Sequence, residues 1–511
     1  MVIATASDER KQRGAWYTPA ALVDTIVDNV VTGSFLAARG GPGGPLRVLD
    51  PACGDGRFLT AVAARAATHG VECDLTGIDI DRAAVDAARS AAPDARIERA
   101  DALRHDFGGG RFDLVIGNPP FLSQMAAATT RGGASGRSGG PYADAAVEFL
   151  ALAAELVEPD GGRVAFVLPQ SVLGARDARP MRASFDERAT LVWSWWTGER
   201  IFDDAQVLTC ALAFQFSPDH SRLRQEVGGP GLRNLVANVE MTGRGVQVGE
   251  RSGAGNWSFV VTSRRGIPDL PALDSDGEIG NRAMLNANFR DEYYGMIPAV
   301  GDHHDGPSLI TSGLIDPGRT HWGDRSVTFA KQRFEAPRID LDLLDAKMQR
   351  WAHKRLVPKV LVANQTSIVE AVCDPDGDWL PAVPVIGIYP EPVTGIASTD
   401  PAADESAAEL VWHIAAVLTS PVASAWVWHH GAGTGLSATS IRVGPALLAN
   451  VPWPTGDLDD AVTALRLGDV RACAMRVLDA YGLDDAGARD ELFSWWSTAL
   501  ERIETRSDDR A

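Results

Sequence analysis

The segment Arg47–Leu59, RVLDPACGDGRFL, constrains the fold of this chain more than any other stretch. An apolar strand ends at Asp50, the turn Pro51-Ala52-Cys53-Gly54-Asp55-Gly56 follows, and the helical run RFLTAVAARAATHG begins at once. Gly54 and Gly56 let backbone N–H groups approach a ligand closely at a helix N-terminus. A triphosphate loop would need Lys-Ser or Lys-Thr after the glycines, and Arg57-Phe58 stands there instead. The three-glycine dinucleotide pattern is also incomplete. What remains is a ligand with a ribose, a base and a small charged tail.

Two further strand ends continue the series. CDLTGIDID puts Asp79, followed by Ile80, at the tip of the second strand. An acidic residue about 20 residues or slightly more past a glycine turn is where a doubly wound fold binds ribose hydroxyls. ARIERADAL puts Asp101 and Ala102 at the next tip, where the carboxylate could accept a hydrogen from an adenine amino group and Ala102 could approach the ring. Either aspartate could instead be a helix cap or turn residue. The alternation of strands and helices through this half predicts an α/β layer with a mainly parallel sheet.

The apolar run FDLVIG, Phe112–Gly117, closes on Asn118-Pro119-Pro120-Phe121. A strand ending in a polar acceptor and two ring-locked residues presents a rigid edge of oxygens. The Asn118 side-chain oxygen and the Pro119 carbonyl can both accept hydrogens from one exocyclic NH2, and Phe121 supplies a flat face for the ring that carries it. A bland alternative exists, since strand-to-loop junctions often use proline.

These motifs, in this order, resemble a gamma-class, S-adenosylmethionine-dependent adenine-N6 DNA methyltransferase. The resemblance runs from about Arg13 to Phe216, beginning with RGAWYTPAALVDTIVDNVV, in which Leu22, Val23, Ile26, Val27 and Val30 share one helical face. It implies that Tyr17, Thr18 and Pro19 lie beside the methionine part of the cofactor. The implied cofactor set is completed by Asp50, Pro51, Ala52, Gly54, Gly56, Asp79, Ile80, Asp101, Ala102 and Asn118. Phe202, in ERIFDDAQVLTCALAFQF, takes the place of an aromatic that stacks on the far face of the target base. The implied architecture is a Rossmann-like class I methyltransferase domain (1–217), a linker (218–240) and a mixed α+β target-recognition domain with a helical C-terminal part (241–511). The implied reaction flips adenine out of duplex DNA, stacks it between Phe121 and Phe202, and transfers methyl directly to N6, without metal, in restriction–modification or phage defence. RNA-base and protein-glutamine methyltransferases also use Asn-Pro-Pro motifs on this fold. A cofactor- or DNA-binding subunit that needs a partner for activity is a further alternative. No fused nuclease is evident, so any restriction activity is expected on another chain.

The net charge of −19 opposes a generally nucleic-acid-binding surface. Charge is unevenly placed, however, because four of the five lysines fall between Lys331 and Lys359. Lys331, Arg333, Lys347, Lys354, Arg355 and Lys359 are therefore expected phosphate contacts, with a solvated helix face as the alternative. Arg131 and Arg137, in the Gly-rich loop after Phe121, are expected to order on a phosphate. Five cysteines without metal-ligand spacing read as reduced thiols in a cytoplasmic protein. No apolar run is long enough to span a bilayer. His303-His304 and His429-His430 read as extended pairs at the surface or on DNA, since no Cys or carboxylate set completes a metal site. Trp193, Trp195 and Trp196 fall on a predicted strand and read as core. Short β-like runs after residue 241 include WSFVVTS, KVLVANQTSIVEAVC and VPVIGIYP.

Overall fold

A computed structural model of the protein describes residues 17–40, 44–121, 145–202, 207–218, 237–239, 245–247, 255–288, 290–390, 401–435, 437 and 439–508. Arg131 and Arg137 lie outside the described residues. The chain forms two compact units, Met1–Arg265 with Ala432–Ala438, and Gly266–Gly431 with Thr439–Ala511. The division thus falls after Arg265 and not within 218–240.

In the first unit, Ala20–Val30 (α1) buries Leu22, Val23, Ile26, Val27 and Val30, the face that the sequence spacing predicts. Strand Leu46–Asp50 (β1) leads through the glycine turn into helix Arg57–Ala67 (α2), then strand Cys73–Asp79 (β2), helix Arg82–Ala91 (α3) and strand Arg96–Arg99 (β3). Strands Leu114–Gly117 (β4), Arg163–Pro169 (β5), Ala189–Trp196 (β6) and Thr209–Phe216 (β7) follow, with short strands Ala237–Val239 (β8) and Gly245–Gln247 (β9). The sheet order is β3-β2-β1-β4-β5-β7-β6-β8-β9. Pairing is parallel from β3 to β5, and β7 runs antiparallel to both β5 and β6. Order reverses between β1 and β4, which makes the crevice beyond their C-terminal ends the expected ligand site. The central strands carry an almost continuous apolar core; Leu114, Val115, Ile116 and Val164 are fully buried. Trp193 and Trp195 are core residues of β6.

The segment after Arg179–Arg188 (α4) explains the later boundary. Trp257 is fully buried, its ring 4.7 Å from that of Phe214, and its indole N–H donates to Asp186 Oδ1 at 2.9 Å. Gly255 N–H donates to Asp186 Oδ2 at 2.7 Å, and Arg182 Nε donates to Gly255 O at 2.7 Å. A buried carboxylate therefore clasps residues beyond the polar stretch onto the first unit. WSFVVTS, read as a strand, contains the short helix Phe259–Thr262; four apolar residues alone carry too little period to separate the two.

The second unit is α+β. One antiparallel sheet is ordered Ala283–Ala287, Ile386–Pro390, Lys359–Val362, Ala371–Asp374, and a second four-stranded sheet combines Val300–Gly301, Arg338–Ile339, Ser308–Ile310 and Trp379–Pro381. Its helices include Ala346–His353, Pro401–Leu418, Pro421–Gly431, Asp459–Arg466, Val470–Ala480 and Ala486–Asp508. The pair His429-His430 lies on a helix, not an extended segment: His429 is buried with Nε2–H donating to Pro268 O, and His430 stacks on Trp426. Among the described residues no cluster could hold a metal ion, and no single helix is long and apolar enough to cross a membrane.

Asp186→Ala should leave the Trp257 and Gly255 donors buried without this acceptor, at a cost of about 2–5 kcal/mol. Urea unfolding measures the loss, and faster amide exchange over residues 255–262 locates it.

Candidate active site

The glycine turn is held by carboxylates from two strands. Gly54 and Gly56 have φ of 56° and 82°, so each occupies the left-handed region that favours glycine. Asp79 Oδ2 accepts from Gly54 N–H at 2.9 Å and Oδ1 accepts from Asp81 N–H at 2.8 Å. The helix cap is Asp81, which accepts from Ala83 N–H at 2.8 Å, so Asp79 braces the turn and does not cap α3. Asp101 Oδ1 accepts from Leu103 N–H at 3.2 Å as a turn aspartate, and Ala102 is buried.

The N-terminal motif meets this turn. The Tyr17 ring lies 3.5 Å from where a Cβ on Gly54 would stand, and the Arg57 guanidinium sits 5.3 Å from the centre of that ring. Arg57 also donates to Thr18 O and pairs with Asp55. One arginine at the start of α2 thus ties Tyr17-Thr18-Pro19 to the loop. Tyr17 and Ile80, 45% and 55% exposed, present large apolar faces. An acidic strand tip, a glycine cradle and exposed apolar faces fit a ribose and base.

Asp50 occupies the switch point. It is buried, Oδ1 accepts from Ala52 N–H at 3.1 Å, and the same oxygen lies 2.4 Å from where a Cβ on Gly117 would stand. Only a residue without a side chain fits beside it, so the carboxyl of β1 and the last residue of β4 are in direct apposition. Burial pushes the Asp50 carboxyl well above the usual carboxylate range, with Asp79 and Asp55 adding to the effect. Asp79 is raised too, mainly by burial, although its backbone hydrogen bonds oppose the shift.

Beyond Gly117 the chain places Asn118, with Oδ1 shielded from solvent, then Pro119, Pro120 and Phe121. Phe121 and Phe202 come together, both buried, but their centroids are 6.0 Å apart at 67°. The two rings pack edge to face, so a base enters between them only if they rotate and part.

The lysine tract divides. Lys331, Arg333, Lys347 and Lys354 are exposed, with Lys347 3.5 Å from Asp291. Arg355 is half-buried with its guanidinium 5.2 Å from the Tyr389 ring centre. Lys359 is fully buried and bonded to buried Asp374, so it is no phosphate contact. Its charge opens a strand of the antiparallel sheet, and its partner stands opposite on the next strand, which no local pattern around KVLV reveals.

Residues 48–131 match the methyltransferase domain family. No curated protein matches the sequence. Among solved structures, the chain is similar to the type IIL restriction–modification enzyme MmeI in complex with DNA, at 13% identity over 95% of this chain and 76% of that one, TM-score 0.52. It is also similar to a putative class I S-adenosylmethionine-dependent methyltransferase from Listeria monocytogenes, at 20% identity over 44% and 66%, TM-score 0.35. A modification subunit of a putative type I restriction enzyme from Vibrio vulnificus matches at 20% identity over 42% and 46%, TM-score 0.33. The chain spans less than two thirds of the length of these last two proteins. The first unit carries a methyltransferase domain of Rossmann-like fold, and that class implies S-adenosylmethionine as methyl donor.

Asp50 gives a pH signature. Its folded carboxyl keeps a proton that the unfolded carboxyl releases near pH 4, at about the ordinary aspartate value. The folded chain therefore binds more protons above that pH, and this group's contribution to stability falls until the folded carboxyl itself ionises. Asp50→Asn keeps the acceptor for Ala52 and removes the titration. Without cofactor, the difference in stability between the Asp50→Asn variant and the parent should grow in favour of the variant above about pH 4, by at most about 1.4 kcal/mol per pH unit. A constant difference from about pH 4 to pH 8 would mean that Asp50 titrates normally.

Proposed function

We propose that this protein is a DNA methyltransferase that modifies the N6 amino group of adenine in duplex DNA, as part of a restriction–modification system in the cytoplasm. The observation that carries the reading is the apposition of two strand ends. The glycine turn after β1 and the Asn118-Pro119-Pro120-Phe121 edge after β4 flank the switch point of one sheet, with Asp50 against Gly117 between them.

Tyr17, Thr18, Pro19, Gly54, Gly56, Asp79, Ile80, Asp101 and Ala102 would hold S-adenosylmethionine. When bound, that cofactor supplies a methyl group already activated by a positive sulfur. The protein's task is then positioning. Asn118 Oδ1 and the Pro119 carbonyl accept the two hydrogens of the adenine amino group and direct its lone pair away from them. The proline rings keep this edge from rearranging as the base arrives. Phe121 and Phe202 part to stack on the extruded base, which exchanges their mutual edge contact for two ring faces. The adenine must leave the duplex because its amino group is not accessible in the stack.

DNA as substrate is supported by the likeness to MmeI, a restriction–modification enzyme seen in complex with DNA. By family resemblance, Asn rather than Ser at 118, before the two prolines, favours adenine over cytosine N4. A nuclease or specificity partner on another chain would complete the system.

Purified protein with labelled cofactor should convert adenine in duplex DNA to N6-methyladenine, with ribosomal RNA and release-factor protein left unlabelled. Product appearing only on RNA, on protein or on cytosine would overturn the reading. Asn118→Ala should lower the methylation rate about 100-fold or more, since positioning supplies most of the rate, while calorimetry finds cofactor affinity nearly unchanged.

Asp79→Ala should act oppositely, weakening cofactor binding by about 1–3 kcal/mol through the lost acceptor and the loosened glycine turn. Unchanged affinity in the same titration would remove Asp79 from the cofactor site.

A further inference from the structure

A β-ribbon of the second unit stands out by its backbone. Strands Val327–Phe329 and Gln332–Phe334 pair Val327 with Phe334, Thr328 with Arg333 and Phe329 with Gln332. Val327, Phe329 and Phe334 are buried in a core that includes Met348, Leu361 and Leu380. Asp302 fixes the ribbon's exit by accepting from Glu335 N–H at 3.1 Å and Ala336 N–H at 2.9 Å. The opposite face carries the exposed pair Thr328 and Arg333. The ribbon is thus a rigid element with one face anchored and one polar face in water.

Its two-residue turn is Ala330-Lys331, with φ of 49° and 66°, the two non-glycine residues of positive φ among the described residues. Such turns ordinarily take Asn-Gly, because a Cβ is strained in this region. Ala330 recovers something by packing its methyl against the core. Lys331 is exposed and makes no hydrogen bond or ion pair among the described residues. Glycine at 331 would relieve the backbone at no visible loss to the fold. A strained residue held where nothing internal requires it points to an external contact.

The charge and shape of the ribbon define that contact. A two-stranded ribbon fits the major groove of B-form DNA. Lys331 at the apex is a point cation of the kind that meets phosphate. Arg333 is only weakly engaged by Glu335, at 3.5 Å with both side chains about three-quarters exposed, so its fork can turn to a better acceptor pair. Such a fork matches the O6 and N7 acceptors of guanine.

We propose that the exposed face and turn of this ribbon, Thr328, Lys331 and Arg333, dock in the major groove of the substrate duplex, with Arg333 reading a guanine edge and Lys331 contacting a phosphate. The proposal rests on the DNA-methyltransferase reading above and names the element that selects sequence.

The test uses the full chain, duplex binding across a salt series, and sequencing of modified adenines. Lys331→Gly should raise the unfolding temperature yet weaken duplex binding, with a log–log salt slope shallower by about one unit or less. Arg333→Ala should leave the unfolding temperature unchanged and relax preference at one guanine position of the modified sequence by about fivefold or more. Arg502→Ala, an exposed arginine on the helix Ala486–Asp508, serves as the control and should leave the modified sequence unchanged. If the parent methylates duplex DNA and both ribbon variants keep its affinity, slope and modified sequence, the ribbon proposal is overturned while the enzyme assignment stands. If the parent neither binds nor methylates duplex DNA, the assignment fails and the proposal with it.

Discussion

The candidate site depends on a carboxyl group placed where a carboxylate is costly. Asp50 ends β1 inside the sheet, its oxygen against the Cα of Gly117 at the end of β4. The contact sets the spacing between the two halves of the site. On one side the chain turns through Gly54 and Gly56 and is braced by Asp79. On the other it runs straight into Asn118 and two prolines. Burial favours the protonated form, which can occupy this gap without the solvation demand of an ion. A larger residue at 117 would meet the Asp50 carboxyl and push the two strand ends apart.

Several parts of this arrangement are legible in the residues themselves. The helical face of α1, the glycine turn and the acidic end of β2 each follow from local rules, because spacing, φ preference and strand position act over a few residues. The α/β fold of the first unit and the α+β character of the second follow the same logic. Pairings across the chain are not local. Lys359 opens an apolar strand, and only the register with Asp374 shows that its ammonium is internal. The position of Trp257 depends on Asp186, which is 71 residues distant in sequence. The edge-to-face packing of Phe121 and Phe202 depends on where two separate loops end, so residue type identifies the pair but not its geometry.

Charge is organised on similar terms. The acidic balance of the chain limits indiscriminate attraction to polyanions, and the cations that remain exposed must act by position. Of the basic tract, the members that reach solvent lie on the ribbon and around the helix Ala346–His353. Those drawn inward stabilise the second unit instead. Lys359 pairs with Asp374, and the Arg355 guanidinium lies 5.2 Å from the centre of the Tyr389 ring. Counting basic residues therefore overstates the surface available to phosphate.

The return of Ala432–Ala438 to the first unit has a consequence for biosynthesis. Gly433 lies against the carbonyl of Gln170 so closely that a Cβ there would overlap it. An N-terminal unit usually folds as it leaves the ribosome, ahead of the units downstream of it. Here the first unit remains incomplete until most of the second has been synthesised, and its last piece arrives as a loop borrowed from the downstream sequence. Exchanging the second unit for another by recombination thus requires junctions after Arg265, after Gly431 and after Ala438 to spare this loop, and a gene truncated after Arg265 encodes a first unit that lacks part of itself.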